Sequence, residues 1–176
     1  MYRYFNLPYL SPTIGMYFFG DEFVKFVSDL KHFCTSDIKM ISFEESRHLD
    51  QLRIQGIDNT VPIALLDNDV KIVMLHYHTP EEAIEKWKRR AERVNWNNII
   101  VKFSEHNDAT PEHLRFVDEL EYEKKVIFTV HDYGLKSQII FKERVGYPQI
   151  LDDTTHFRRY VNLVNLVNGK PFARNQ

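Results

Sequence analysis

The chain has 176 residues, with 23 basic and 25 acidic side chains for a net charge of −2, and is 43% apolar and 14% aromatic. Such a length suits one domain, 1–176, with an ordinary core, and the composition excludes wholesale disorder. No apolar run reaches the roughly 18 residues of a membrane span, the near-balanced charge argues against a dedicated nucleic-acid binder, and the single Cys34 excludes an internal disulfide and any multi-cysteine metal site.

Residues 2–19 are aromatic and punctuated by Pro8, Pro12 and Gly15, which predicts an irregular packed segment. Asp21 is placed to cap a helix whose apolar face is Phe23, Val24, Phe26, Val27, Leu30 and Phe33. A strand is expected at 38–43 and a polar irregular stretch at 44–60. The runs 63–66 and 70–75 flank Asp67-Asn68-Asp69, the composition of a hairpin turn. Thr79-Pro80-Glu81-Glu82 has the signature of a helix start, and Ala83, Ile84, Trp87, Ala91 and Val94 fall on that helix's inner face.

A strand at 99–103 follows. Thr110-Pro111-Glu112 opens a second helix with Leu114, Val117 and Leu120 inward. Strands are expected at 126–130 and 139–141, and a last helix at 154–168 ended by Gly169. The alternation from 70 to 130 predicts parallel strands joined by helices, and the preceding hairpin makes the sheet mixed. The expected fold is therefore α/β: three layers, a mixed and mostly parallel sheet, helices on both faces. Since the opening residues also lack the pattern of a signal peptide, the expected location is cytoplasmic.

Ligands of open α/β sheets bind beyond the carboxyl ends of the strands. His76, Tyr77 and His78 follow the strand at 70–75. Glu105, His106, Asn107 and Asp108 lie just beyond the strand at 99–103, and His131, Asp132 and Tyr133 follow the third strand. One reading is a polar site in which histidine is a general base and carboxylate orients it, with His76, Glu105 and His131 as the catalytic candidates and His78 and Asp108 as substrate contacts. The other is that such loops are polar in any case and a chain with eight histidines places some there; loop composition alone favours this second reading. No recognised metal-ligand motif occurs, so no metal is expected. Helix positions Glu82, Lys86, Arg89, Arg90 and Arg93 form a stripe that either holds an anionic ligand or is a solvated face. Trp87 is expected in the core, Cys34 is expected to be a buried or incidental thiol and not a nucleophile, and the scattered glycines carry no dinucleotide or phosphate-loop fingerprint.

Three segments resemble a bacterial family of uncharacterised proteins commonly labelled exopolysaccharide biosynthesis proteins: Leu7-Pro8-Tyr9-Leu10-Ser11-Pro12-Thr13-Ile14-Gly15; Leu75-His76-Tyr77 with Glu81-Glu82-Ala83 and Lys86-Trp87-Lys88-Arg89-Arg90; and Asn98-Ile99-Ile100-Val101-Lys102-Phe103. The resemblance runs over nearly the whole chain and implies an α/β fold and a role around surface glycan synthesis; some relatives are described as acetyltransferases. Members of that family usually begin with a strand ending in an Asn-Asn-Cys-x-Gly-Gly-like turn, and Met1 falls just after that point. Two functions are consistent with the resemblance. One is an enzyme modifying a sugar or sugar-nucleotide precursor by acyl transfer, with acyl-coenzyme A or a sugar nucleotide as the bound donor and Arg89, Arg90 and Arg93 holding it. The other is a non-catalytic binding or assembly protein of the same pathway. The expected partner is a small molecule or glycan precursor, without nucleic acid or a membrane span; the oligomeric state is left open.

Overall fold

In the computed structural model residues 2–6, 11–106, 108–142, 146–150 and 157–174 are described, and the chain divides into two compact units, Tyr2–Val94 and Asn95–Gln176. Residues 7–10 of the family-like opening segment, Asn107, and the expected helix positions 154–156 lie outside the described residues.

In the first unit a short helix, α1 (Tyr2–Phe5), precedes a turn-rich segment at 11–16. The helix expected from Asp21 is two helices, α2 (Gly20–Ser28) and α3 (Leu30–Thr35). Extended Phe19 (φ −66°, ψ 160°) stands at the cap of α2, which puts Asp21 and Glu22 in its first turn, at the positive helix end. The break comes at Asp29, whose backbone leaves the helical region (φ −140°, ψ 63°) while its carboxylate accepts the His32 N–H at 3.2 Å. Aspartate competes with the helix for backbone donors, and here it ends one helix and caps the next. The stretch 44–60 is less irregular than expected. It holds helix α4 (Leu49–Ile54), and Leu52 is fully buried with Phe19, Phe43, Ile63 and Val73.

Strands β1 (Ile38–Ile41), β2 (Ile63–Leu66) and β3 (Val70–Val73) form an antiparallel sheet in that order. Its β2–β3 turn is the expected hairpin: Asp67 and Asn68 both take positive φ (46° and 58°), the mirror-image turn that matches strand twist. Lys25 and His32 reach this turn, pairing with Asp69 (2.5 Å) and Asp67 (2.7 Å). Helix α5 (Pro80–Ala91) starts as expected, with the Thr79 hydroxyl accepting the Glu82 N–H. It packs against β1, and Trp87, 1% exposed, meets Phe26 of α2 at 6.0 Å.

The expected parallel pairing of 70–75 with 99–103 is corrected by the structure. One edge of β3 pairs with β2. On the other, Val73 exchanges both backbone bonds with Tyr17 at 3.0 Å, and the His76 N–H bonds the Gly15 carbonyl at 3.1 Å. With both edges of β3 occupied, the single mostly parallel sheet gives way to two sheets of three strands.

Gly15 makes this edge closure possible. Its φ is +78°, and a Cβ there would sit 3.3 Å from the His76 Cβ. Gly15→Ala is therefore expected to destabilise the chain by about 1–2 kcal/mol, the cost of a left-handed L-residue, as read from urea unfolding midpoints.

In the second unit β4 (Val101–Ser104), β5 (Lys125–Thr129) and β6 (Gln138–Ile140) form a parallel sheet in chain order. Helix α6 (Pro111–Glu119) links β4 to β5 and packs on β5 through buried Leu114 and Val117. Its start is again the expected one: Thr110 and His113 bond each other's backbone N–H groups. The last helix is interrupted into α7 (Phe157–Tyr160) and α8 (Leu163–Val167). Val161 pairs with Ala173, and the Asn162 N–H bonds the Phe172 carbonyl at 2.8 Å, so the backbone between the two helices is used by the returning chain. Among the described residues no helix is long and apolar enough to cross a membrane.

Candidate functional site

The β4–α6–β5 unit does what parallel pairing predicts and delivers Glu105 and His131 to one sheet edge. Alternation along β4 buries Val101 and Phe103, and the same period of two turns Glu105 inward. Its backbone is held on both sides, the N–H by the Phe128 carbonyl and the carbonyl by the Ile150 N–H, each at 2.8 Å.

Every oxygen of this buried carboxylate is engaged. Oε2 accepts the Val130 N–H (2.7 Å) and the His131 N–H (3.4 Å). Oε1 accepts His131 Nδ1–H (2.8 Å) and the Tyr133 hydroxyl (2.7 Å). Burial pushes the Glu105 carboxyl up, but the bonds from Tyr133, His131 and the Val130 and His131 backbone outweigh it and hold the group below the usual carboxylate range. Burial, followed by the hydrogen bond to Glu105 and its negative charge, pushes the Tyr133 phenol up to about 12. Tyr133 is thus a neutral donor at physiological pH.

An ionised carboxylate accepts only, so the bond to Glu105 fixes His131 as the Nδ1–H tautomer. The lone pair then lies on Nε2, for which no partner exists among the described residues. The His131 side chain is 55% exposed, against 7% for Glu105. A buried carboxylate that orients an exposed imidazole leaves that ring with a free lone pair able to accept a proton. Removing the Tyr133 hydroxyl takes away one of the bonds that lower the Glu105 carboxyl. Tyr133→Phe is accordingly expected to raise its pKa, read as an upward-shifted 13C titration of the Glu105 carboxyl carbon.

The remaining candidates are distributed as follows. Asp108 is exposed in the β4–α6 loop with φ +63°. His76, His78, Lys86, Arg89, Arg90 and Arg93 all belong to the first unit. His76 is exposed, and no side-chain hydrogen bond orients its ring among the described residues. His78 is exposed, with its N–H 3.5 Å from Glu82 Oε2. Within the basic stripe Arg90 is committed to the chain's own backbone. Arg90 turns to the Ile14 carbonyl (3.0 Å) and the Tyr77 hydroxyl (2.5 Å), which itself donates to Ile14, so it fastens the 13–17 segment to α5. Arg89 pairs with Glu85 at 3.3 Å, Lys86 is half-buried and Arg93 is exposed past the helix end. Burial pushes the Cys34 thiol up to about 12, which removes it as a nucleophile.

Reading the residues one by one missed a second polar cluster. Glu22, 0% exposed, accepts His48 Nε2–H (3.0 Å), the Lys71 N–H (2.9 Å) and Arg47 Nη2–H (2.6 Å). Asp21, Glu22 and His48 place donor atoms within 4.8 Å of one another, as a metal site would. However, Arg47 already supplies the positive charge, and it lies 3.4 Å from Asp21 Oδ2 as well. The cluster reads as a clasp that ties α2 to residues 46–48 and to β3. A signal for it was present: Glu22 precedes Phe26 by four residues, on the apolar face of α2.

A family model described as a domain of unknown function, DUF1919, matches residues 1–168. An "Uncharacterized protein" of Haemophilus influenzae is 25% identical over 126 residues, 72% of this chain. That alignment takes in 54% of the relative, so the chain spans about half the length of the curated protein it matches.

Proposed function

The chain belongs to the DUF1919 family, and we propose that it transfers an acyl group to a hydroxyl of a sugar or sugar-nucleotide precursor in surface or exopolysaccharide biosynthesis, with His131 as the proton acceptor. One observation carries this reading: the 2.8 Å bond that sets His131 Nδ1 on buried Glu105 and leaves Nε2 exposed. In the proposed step His131 Nε2 takes the proton of the attacking hydroxyl as its oxygen bonds the acyl carbon of a coenzyme A thioester. The carbon–sulfur bond then breaks, and the imidazolium returns the proton to the departing thiolate. Glu105 stays ionised throughout and stabilises the imidazolium. The proposed setting is the cytoplasm. No step is assigned to the basic residues of α5.

The test is a panel of acyl-coenzyme A donors with sugar and sugar-nucleotide acceptors, followed by mass spectrometry for an acylated sugar and by release of free thiol. Acylated product that depends on His131 supports the enzyme reading. Thermal stabilisation by the same compounds with no product from any pair supports the non-catalytic binding protein instead.

A further inference from the structure

The connection between β5 and β6 carries both His131 and Tyr133. It spans residues 130–137 with no helix, and is shorter than the dozen or so residues usual between parallel neighbours. Such a loop needs its backbone groups satisfied by something other than a helix. Gln138, the first residue of β6, does this with its whole side chain. Its Oε1 accepts the Tyr133 and Leu135 N–H groups, each at 3.2 Å. Its Nε2 donates to Thr129 Oγ1 and to the His131 carbonyl, each at 2.6 Å. A primary amide has two donor hydrogens and two acceptor lone pairs, so all its capacity is used. The partners also dictate its orientation, because a backbone N–H only donates and a carbonyl only accepts.

Glu105 Oε2 holds the Val130 and His131 N–H groups at the start of the loop, and the remaining side-chain contacts to its backbone lie further on. Asp118 accepts the Lys136 and Ser137 N–H groups (2.9 and 2.8 Å), and Asp132 accepts the Gly134 N–H at 2.9 Å. Gln138 alone among these grips the peptide units on both sides of Asp132, through the His131 carbonyl and the Tyr133 N–H. These are the backbone points from which the two side chains that meet on Glu105 Oε1 extend.

We propose that Gln138 is a positioning residue of the site: it holds the loop backbone so that His131 Nδ1 and the Tyr133 hydroxyl reach the same oxygen of Glu105. Its catalytic consequence rests on the reading of His131 as proton acceptor, while the geometric part stands without it. β6 does not need the amide for its own pairing. The backbone bonds Ile127 N–H to Ser137 and Phe141 N–H to Thr129, at 2.9 and 2.8 Å, are untouched by a side-chain change. A misplacement of about 1 Å at a catalytic group costs on the order of a hundredfold in rate, so the grip matters to the chemistry.

The experiment is 15N NMR of the histidine rings in the full chain, comparing wild type with Gln138→Leu, which removes the amide and with it all four bonds, and with Gln138→Asn, which keeps the amide but is one carbon shorter. Wild type is expected to show His131 as a single Nδ1–H tautomer. In both variants the His131 signals are expected to become those of an exchanging mixture of tautomers, while the backbone amides of β4 and β5 keep their shifts. A merely structural glutamine would leave the tautomer alone, so retention of the wild-type ring signature in a folded variant overturns the proposal. Should Gln138→Leu fail to fold, the Asn variant decides by the same reading. Tautomer mixing in a chain that acylates no acceptor upholds the positioning role and removes the catalytic one.

Discussion

Glu105→Ala is expected to cost about 3 kcal/mol, since each buried donor left without its acceptor costs about 1–3 kcal/mol. The carboxylate lies 5% exposed and collects four donors, so its loss strands the Val130 N–H in an apolar setting and leaves Tyr133 and His131 without their acceptor. In a unit of this size such a loss lowers the unfolding midpoint by about 10 °C or more, measurable by circular dichroism. Glu105→Gln keeps the shape but sets an NH2 group against at least one donor, and is expected to lose turnover by about a hundredfold or more through the displaced imidazole. The pH dependence has a definite sign. The folded pKa of Glu105 is lowered, so its contribution is present above the unfolded value and lost as pH falls through the folded one. The deficit of Glu105→Gln is therefore expected to be largest at neutral pH and to shrink in acid. A deficit that grew on acidification would contradict the ionised, hydrogen-bonded carboxylate.

The second large effect belongs to the first unit. Glu22→Ala leaves Arg47 and His48 with only Asp21 as a shared acceptor, at 3.4 and 3.3 Å, and leaves the Lys71 N–H without its carboxylate partner. The expected cost is about 1–3 kcal/mol, from buried donors left without their acceptor, since Arg47 is partly exposed and keeps Asp21 at 3.4 Å. Glu22→Gln is milder, because one amide oxygen remains to accept. His48 stacks on Phe19 at 4.1 Å, so a ring that moves after Glu22→Ala also disturbs the contacts of Leu52 and Ile63 with Phe19. Urea unfolding of the two variants beside wild type checks the order Ala, Gln, wild type in rising midpoint. Equal midpoints would show that the clasp contributes nothing, and a rise in the wild-type midpoint on adding divalent metal that Glu22→Ala lacks would point to a cation site instead.

Elements whose signals are local were legible in the chain. Thr79 and Thr110 cap their helices with side-chain oxygens three residues from the donors they satisfy, and Asp67-Asn68 supply the two positive φ angles of the hairpin. Asp29 misled because the apolar spacing of Leu30 and Phe33 continues across it, while its carboxylate prefers to cap α3. The polar residues around Leu52 hid α4. Strand partnership was the least legible feature: β3 has the composition of a βαβ strand, but Tyr17, far upstream, closes the edge where a parallel neighbour would pair. The Glu105–His131 contact was legible because one β4–α6–β5 unit carries both residues. His76 was grouped with them on the assumption of one shared sheet, which the pairing of β3 removes. Tyr133 stood among the residues after the third strand without a role, and Gln138 was not visible as a site residue, since their contacts depend on the path of a loop and not on periodicity.

The most direct test of the account compares thiol release from acyl-coenzyme A in wild type, His131→Ala and His76→Ala with the acceptor identified in the donor and acceptor panel. Loss of His131 is predicted to lower turnover by about a hundredfold to ten-thousandfold, the contribution of a positioned general base, with the unfolding midpoint nearly unchanged for a side chain this exposed. The His76 variant, whose ring has no orienting carboxylate among the described residues, is predicted to stay within about twofold of wild type, as expected when no group in the chemical step is removed. Full turnover by His131→Ala, or its collapse in His76→Ala alone, would contradict the assignment of proton transfer to the Glu105–His131 pair.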